Sequence, residues 1–181
     1  MKPKIFLILF LFVYVKTFAQ TENVAPNFKT VDIYGKQFEL YSSTKPKIIQ
    51  FMRVYCGGKI SEQSAAQFGQ LAKLYDKYKD KILFVTVTLS TCQSSDLKKI
   101  AEYFGIKWTF INDYSDYNLD IIQKYSSYLK TLHDPALIFV DKNNKVVKTT
   151  DFCEDKKLEE YISLIIEKTS STKNTTKRRN E

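Results

Sequence analysis

The sequence predicts an α/β fold in which a mixed central sheet is flanked by helices and preceded by a β-hairpin. Two largely apolar runs, at 47–54 and 82–89, have the composition of strands that are buried on both faces. Segments with helical periodicity follow these runs, at 61–80 and 94–104. A second hairpin near the C-terminus, at 136–150, makes the predicted sheet mixed rather than all parallel.

The first residues have the pattern of a secretory signal sequence. Two lysines precede an apolar run of 11 residues from Ile5 to Val15, and Ala19 offers a small residue at a cleavage point. The run is shorter than the roughly 20 residues that a membrane-spanning helix needs. We therefore predict a signal peptide at 1–19, a folded domain at 20–168, and an exported protein, periplasmic or secreted, with no membrane span after cleavage. An uncleaved anchor is the alternative.

The first half of the domain begins with the predicted hairpin. Its turn lies at Gly35-Lys36, between extended segments at 28–34 and 37–41. After the strand at 47–54, the helix at 61–80 has apolar residues at three- and four-residue spacing, with charges on its other side. These apolar residues are Ala65, Phe68, Leu71, Ala72, Tyr75 and Tyr78.

The second half of the domain continues the alternation of strands and helices. After the strand at 82–89, the helix at 94–104 has Ser94 or Ser95 as a candidate N-cap and Gly105 as its stop. The remaining predicted elements are a short strand at 107–111, a helix at 118–129, a hairpin at 136–140 and 146–150, and an amphipathic helix at 155–168.

The net charge of +8 does not indicate a nucleic-acid-binding domain. It divides into +3 from segment 1–19, +3 from segment 169–181, and +2 from the domain between them. Segment 169–181 is rich in Ser, Thr, Lys and Arg and has no large apolar residue, so we predict a disordered basic tail. A surface-binding role for its Lys177-Arg178-Arg179 triplet is an alternative.

Cys56 lies in the segment that carries the strongest chemical signal. The apolar strand runs into Tyr55, Cys56 and a Gly57-Gly58 pair, and a helical pattern follows. A thiol at a helix N-terminus is favoured as thiolate, which is the nucleophilic form, and the Lys59 cation would act in the same direction. We predict a reactive cysteine at the end of the strand; a buried or disulfide-bonded structural cysteine is the alternative.

A second signal lies far along the chain, at His133-Asp134-Pro135. This tripeptide immediately precedes the apolar strand at 136–140. Proline at the start of a strand breaks no ladder hydrogen bond, and an X-Pro bond here could be cis and direct backbone groups at a neighbouring site. An ordinary trans-proline turn is the alternative.

Both signals form part of a family resemblance that covers Val24 to Lys168. The matching segments are similar to those of the thioredoxin-like superfamily, specifically its exported TlpA/ResA-like redoxin branch with an AhpC/TSA-redoxin type domain. These segments are Ala25-Pro26-Asn27-Phe28 with Asp32-Ile33-Tyr34-Gly35-Lys36, Phe51 to Gly58, and Pro135 to Lys145.

The resemblance implies a thioredoxin-like fold and a thiol-disulfide oxidoreductase that needs no cofactor and no metal. Its partners would be the thiols or disulfides of client proteins, in the service of redox homeostasis. Cys56 would be the nucleophile and Lys59 would stabilise its thiolate. The residues implied in client binding are Tyr55, Gly57, Gly58, Asp134 and Pro135.

The chain departs from the family pattern at four positions. Lys59 replaces the second cysteine of a Cys-x-x-Cys pair, which puts dithiol reductase chemistry through that pair in doubt. Tyr55 stands where tryptophan is common, and Asp134 replaces an apolar residue. Gln50 occupies a position where some relatives have a buried carboxylate, so proton transfer from that position is not available.

Cys92 and Cys153 partly restore the redox interpretation. In a thioredoxin-like sheet, both would lie just beyond strand ends at the same edge as Cys56, as candidate resolving or structural residues. An exported protein with three cysteines has at least one free thiol or one intermolecular bridge. All three pairings stay open, because a disulfide needs Cα atoms within roughly 7 Å of each other.

Three other functions compete with thiol exchange. A degenerate redoxin domain that serves as a binding or scaffold module fits the loss of the second cysteine. A peroxidase of this superfamily would have Thr where Arg53 stands, and a copper-handling relative would need more soft ligands than Cys56 and His133. The sequence therefore favours an oxidoreductase that acts through a single motif cysteine.

Overall fold

The computed structural model describes residues 23–55, 57, 59–114 and 119–177, with side chains described as far as Glu167. The predicted signal peptide, Cys56, Gly58 and the end of the predicted tail lie outside the described residues. Helices and strands are numbered below in chain order within the described part.

The central sheet of the described residues has five strands in the order β5-β4-β3-β6-β7. β3 pairs with β4 in parallel and with β6 in antiparallel orientation, and β7 pairs with β6 in antiparallel orientation. The predicted mixed sheet is therefore confirmed. The strands are β3 (Lys47–Arg53), β4 (Leu83–Leu89), β5 (Thr109–Asn112), β6 (Ala136–Val140) and β7 (Val146–Thr150).

The predicted N-terminal hairpin is also present, as β1 (Lys29–Val31) and β2 (Gln37–Glu39) in antiparallel pairing. Its turn is stabilised by the Asp32 carboxylate, which accepts hydrogen bonds from the backbone N–H groups of Tyr34 and Lys36, both at 2.9 Å. Gly35 lies in this turn with φ of +83°, a conformation that favours glycine.

The helices of the described residues are α1 (Glu62–Tyr78), α2 (Ser94–Tyr103), α3 (Asp120–Lys124), α4 (Ser126–Leu129) and α5 (Asp155–Lys177). The N-cap of α2 is Gln93, not Ser94 or Ser95, and it makes no side-chain capping hydrogen bond. Gly105 follows α2 with φ of +64°, which confirms the predicted stop.

The buried face of α1 is shifted from the predicted one. Its buried residues include two polar side chains, Ser64 and Gln67, together with Phe68, Leu71 and Leu74, while Ala65 is only partly buried. Ser64 and Gln67 can be buried because each has a hydrogen-bond partner inside the protein. A pattern of apolar residues does not reveal such partners.

The helix predicted at 118–129 is interrupted at Tyr125, which separates α3 from α4. Tyr125 is fully buried, and its hydroxyl donates to the Pro26 carbonyl at 2.8 Å. The hydroxyls of Tyr41 and Tyr128 donate in the same way to the carbonyls of Ala25 and Val24. Three tyrosines thus hold consecutive carbonyls of the N-terminal segment against the domain.

The final helix differs from its predicted boundary. Its backbone runs to Lys177, whereas the pattern predicts an end at 168 and a disordered tail at 169–181. No Gly or Pro interrupts the segment, and extending an existing helix adds one hydrogen bond for each residue fixed. The last turns of α5 therefore occupy part of the segment that the sequence predicts to be disordered.

Alternate residues of β3 contribute to two apolar cores among the described side chains. Ile48 and Met52 face the core that includes α1, α2 and α5. Ile49 and Phe51 face the core that includes the N-terminal segment and α3. Burial on both faces explains why β3 has an almost continuous apolar sequence. Among the described helices, none is both long and apolar enough to cross a lipid bilayer.

Lys47, at the start of β3, is fully buried. Its ammonium donates to the Asn144 side-chain oxygen at 2.7 Å and to the Lys45 carbonyl at 3.0 Å, and so joins β3 to the β6–β7 turn. Burial lowers the pKa of Lys47 from 10.5 to about 8, and the Asp141 carboxylate offsets part of this effect.

We expect Lys47 to make folding stability rise with pH above about 8. Between pH 8 and 10.5, the unfolded chain holds a proton that the folded Lys47 has released, so the free energy of unfolding increases as the pH rises. Across this range, the free energy of unfolding of the wild type should increase by roughly 2–3 kcal/mol relative to that of Lys47→Met. Denaturant unfolding at several pH values measures the difference.

The control is Lys36→Met, which removes an exposed lysine from the hairpin turn. The difference in free energy of unfolding between Lys36→Met and the wild type should stay constant over the same pH range. A difference between wild type and Lys47→Met that stays constant with pH would contradict a lowered Lys47 pKa.

Candidate functional site

The candidate site lies at the edge of the sheet where β3 and β4 end. The two strands are parallel and in register, with Arg53 opposite Leu89. Cys56 follows β3 at this edge in the chain and lies outside the described residues. Its neighbours Tyr55 and Gly57 are described, and both are exposed.

Residues 55 and 59 close a tight turn. The Tyr55 N–H donates to the Lys59 carbonyl at 2.9 Å, and the two residues form an isolated antiparallel bridge. Gly57 lies inside the turn with φ of +87°. This position requires the conformational freedom of glycine, because L-residues with side chains seldom adopt that angle.

The helix after this turn begins where the helical pattern at 61–80 predicts it. α1 begins at Glu62, and its N-cap Ser61 accepts a hydrogen bond from the Ser64 N–H at 3.1 Å. The chain therefore does not pass directly from Gly57 into α1, because residues 59–61 lie between the glycine pair and the first helical residue. The physical reason is that Gly57 adopts a non-helical conformation and Ser61 already satisfies a free amide of the first turn.

This boundary changes the expected source of thiolate stabilisation. The influence of a helix dipole falls off within its first turn, and position 56 precedes the N-cap by more than a turn of chain. Lys59, which has an exposed side chain, is left as the nearby cation that the sequence proposes for this role.

The second signal is brought to the same edge. The Asp134-Pro135 peptide bond is cis, and Pro135 is buried at the start of β6. The Asp134 carboxylate accepts a hydrogen bond from the Arg53 N–H at 3.0 Å and another from the Ser64 hydroxyl. The loop before β6 is therefore joined to the end of β3 and to the first turn of α1.

Burial raises the pKa of Asp134, while its hydrogen bonds from Arg53 and Ser64 and the Arg53 charge act in the opposite direction. The carboxylate is turned toward the Arg53 amide and Ser64. Desolvation is the largest of these effects, so the charged form of Asp134 is held at a cost to the folded state.

Cys92 and Cys153 both lie beyond strand ends at this edge. Cys92 follows β4, is 7% exposed, and its N–H donates to the Ser90 hydroxyl at 3.1 Å. Cys153 follows β7 and is 2% exposed. The two sulfurs form no disulfide with each other in the described part of the chain, and the pairings with Cys56 lie outside it.

Gln67 of α1 fixes the position of Cys153. Its side-chain oxygen accepts from the Cys153 N–H at 2.9 Å, and its amide nitrogen donates to the Cys153 carbonyl at 3.4 Å. Burial also raises the pKa of the Cys153 thiol, which favours the neutral and less nucleophilic form. Reaction at Cys153 would therefore require the loop to move away from α1.

Gln50 takes the place of the buried carboxylate expected from some relatives. Its oxygen accepts from the Thr86 hydroxyl at 3.0 Å, and the Thr86 oxygen accepts from the Trp108 indole N–H at 2.9 Å. Among the described groups, the Gln50 amide nitrogen and the Thr88 hydroxyl oxygen are buried with no hydrogen-bond partner. This chain of polar side chains carries no ionisable group beneath the site.

The residues predicted to bind a client line different cavities. Tyr55 lines a cavity of about 460 Å³ together with Arg53 and Leu89. Asp134 lines a neighbouring cavity of about 300 Å³ that also contains Arg53 and Leu89 in its wall. Gly57 lines a third cavity of about 500 Å³, against α2. The structure therefore brings Tyr55 and Asp134 together around Arg53 but places Gly57 on another side.

Three residues of this edge are absent from the sequence prediction of the site. Arg53 enters the sequence argument only as a mismatch to a peroxidase pattern, and Ser64 and Gln67 do not enter it. In the sequence, Ser64 and Gln67 are three positions apart on the helix face that also carries Phe68 and Leu71. Two polar residues on an otherwise apolar helix face are a detectable signal of a buried polar contact.

His133 contributes no metal site in the described part of the chain. Its side chain is exposed, and its backbone N–H donates to the Asp151 carboxylate at 2.6 Å. Among the described residues, no group of three His, Cys, Asp or Glu side chains is placed to hold a metal ion.

Comparison with known proteins connects this architecture to solved structures. No family model matches the sequence, and no curated protein matches it. The chain is similar to a thiol:disulfide interchange protein of the thioredoxin family from Chlorobium tepidum, with 14% identity and a TM-score of 0.68 over 82% of this chain and 99% of that one.

Two further structures show the same likeness. The thioredoxin domain of a thiol-disulfide oxidoreductase from Bacteroides vulgatus is 21% identical, with a TM-score of 0.62 over 79% of this chain and 99% of that one. A secreted disulfide oxidoreductase from Mycobacterium tuberculosis is 16% identical, with a TM-score of 0.60 over 76% of this chain and 95% of that one. The thioredoxin-like fold predicted from the sequence is confirmed.

We expect Asp134→Asn to stabilise the protein at neutral pH. The raised pKa means that the folded state binds the Asp134 proton more tightly than the unfolded state, so wild-type stability falls as the pH rises above the ordinary value of 3.8. The asparagine keeps an oxygen for the Arg53 N–H but does not ionise. Thermal unfolding between pH 3 and pH 8 should show that Asp134→Asn unfolds at a higher temperature than the wild type, and that this difference becomes smaller toward low pH.

Asp151→Asn is the matched control, because it removes the same charge from a residue that also accepts a backbone hydrogen bond at this edge. A wild type that is more stable than Asp134→Asn at neutral pH would show that the Asp134 charge stabilises the fold, against the expected direction.

Proposed function

We propose that this chain, whose fold is thioredoxin-like, is an exported thiol-disulfide oxidoreductase that acts through Cys56. The observation that carries the proposal is the apposition of the β3 end, which leads into Cys56, with the cis Asp134-Pro135 loop, through the Arg53–Asp134 hydrogen bond. The predicted signal peptide supports export.

The proposed reaction is an exchange of disulfide bonds. The Cys56 thiolate attacks one sulfur of a client disulfide, an S–S bond forms between Cys56 and the client, and the second client sulfur leaves as a thiolate. A second thiolate then attacks the client sulfur of the mixed disulfide, an S–S bond forms between these two sulfurs, and Cys56 leaves as a thiolate. A resolving cysteine of the protein would instead attack the Cys56 sulfur, form a disulfide with it and release the client thiolate. Tyr55 and Asp134 line the cavities on either side of Arg53 in which a client segment would lie.

An external thiol is the proposed source of the second attack. Cys92 and Cys153 are both buried, and Gln67 holds the backbone of Cys153 on both sides. An external thiol reaches the mixed disulfide without a rearrangement of either loop. Cys92 and Cys153 would act as resolving residues only if their loops open during the cycle.

A second candidate function is a binding or scaffold module without exchange activity. Lys59 favours it, because the residue stands where the second cysteine of a Cys-x-x-Cys pair would be. The burial of Cys92 and Cys153 also fits a domain that no longer completes a dithiol cycle.

We expect Cys56→Ser to abolish exchange with a disulfide-linked fluorescent peptide, because the substitution removes the nucleophile. Iodoacetamide labelling of the native wild type near neutral pH, with peptide mapping, should modify position 56 ahead of the buried Cys92 and Cys153. Cys153→Ser is the matched control and should retain exchange when an external thiol is supplied. Wild-type protein without exchange activity, or with an inert Cys56, would favour the binding module.

Lys59→Cys, supplied in its reduced form, should reduce the same peptide faster in a single turnover without an external thiol. Positions 56 and 59 are three residues apart in the chain, so a thiolate at 59 would attack the Cys56 sulfur of the mixed disulfide, form a 56–59 disulfide and release the client thiolate. This intramolecular step should raise the single-turnover rate about tenfold. Lys59→Ser is the control, because it removes the same cation without adding a thiol. Equal single-turnover rates for the two variants would contradict resolution from position 59.

A further inference from the structure

Arg53 occupies the centre of the edge at which the client would bind. It is the last residue of β3, its side chain is exposed, and it lines the cavities of about 300 and 460 Å³ that lie on either side. Leu89, opposite Arg53 on β4, is the other residue common to both cavities. Arg53 and Leu89 are therefore common to the walls of two neighbouring cavities, which we call the groove.

The Arg53 guanidinium makes no ion pair with any carboxylate of the described residues. The Asp134 carboxylate lines the smaller cavity with Arg53 and is influenced by the Arg53 charge, but its hydrogen bonds go to the backbone N–H of Arg53 and to Ser64. Ion pairs of the described chain, such as Lys77 with Glu159, are formed by lysines. Arg53 thus presents its charge and its N–H donors to whatever occupies the groove.

The walls on either side of Arg53 are mainly apolar. In the smaller cavity, Ile122, Leu129 and Leu132 face Phe51 and Ala136, and His133 and Asp134 complete the lining. In the larger cavity, Val54, Tyr55 and Leu119 contribute apolar surface. An occupant that complements both the Arg53 charge and the apolar walls has a carboxylate next to Arg53 and apolar groups beside that carboxylate.

We propose that Arg53 selects client segments that carry an acidic side chain close to the reacting cysteine, with an apolar residue beside it in the smaller cavity. This inference rests on the proposed function, since it assigns a client class to the same site. Arginine suits the role because its planar guanidinium can donate two parallel hydrogen bonds to one carboxylate. An extended segment fits better than a small anion, because a small anion would leave the apolar walls uncovered.

The test measures binding without any exchange step. The protein is Cys56→Ser, and the probes are fluorescent peptides in which serine replaces the client cysteine, so neither partner has a reactive thiol at the site. One peptide has Leu-Glu beside the serine, the second has Leu-Gln, and the third has Ser-Glu. Anisotropy titrations at low and at moderate salt give the dissociation constants.

We expect the Leu-Glu peptide to bind about fivefold more tightly than the Leu-Gln peptide, and the ratio to shrink as salt is added. Adding Arg53→Gln should bring the ratio to one, while Arg53→Lys should keep part of it because the charge is retained. Lys36→Gln, which removes an exposed positive charge from the distant hairpin, should leave the ratio unchanged. The Ser-Glu peptide should bind more weakly than Leu-Glu.

Three results would overturn the inference. These are equal binding of the Glu and Gln peptides, a preference that survives Arg53→Gln, and binding too weak to detect for every peptide. Free glutarate that competes as well as the Leu-Glu peptide would assign the groove to a small anion instead. A clear Glu preference in a protein that shows no disulfide exchange would support the client class while it contradicts the proposed enzymatic activity.

Discussion

The pairing of β3 with β4 on one side and with β6 on the other is the constraint on which the rest of the structure depends. β3 is buried on both faces, so its residues alternate between two cores and its register is fixed along its length. Because β3 and β4 are parallel, their carboxyl ends lie at one edge, and the antiparallel β6 begins there. The candidate site is the meeting point of these three strand ends.

Buried polar contacts then hold the loops of that edge in place. The Asp134 carboxylate joins the loop before β6 to the end of β3 and to Ser64 of α1. The Gln67 amide bonds to both backbone groups of Cys153 and so joins the loop after β7 to the same helix. α1 therefore supports two sides of the site with polar side chains, and the buried Gln67–Cys153 contacts are the ones shielded from water.

Much of the fold could be predicted because its information is local. Largely apolar runs predicted β3 and β4, and glycine or asparagine turns predicted both hairpins. The buried face of α1 was predicted less well. Ser64 and Gln67 are polar residues, and they are buried because other groups of the protein form hydrogen bonds with them. The break at Tyr125 was also missed; the hydroxyl of this buried residue bonds to Pro26, which is distant in the chain.

The sequence by itself determined the order of strands and helices, the thioredoxin-like resemblance, and the place of Cys56 and Pro135 in the chain. Those features follow from periodicity, turn residues and short motifs, which act over a few neighbouring residues. Only the tertiary structure decided which polar side chains α1 buries, which contacts hold Cys153, and that Arg53 lines two neighbouring cavities. Each of these depends on groups far apart in the chain, whose distances are set by strand register and not by local pattern.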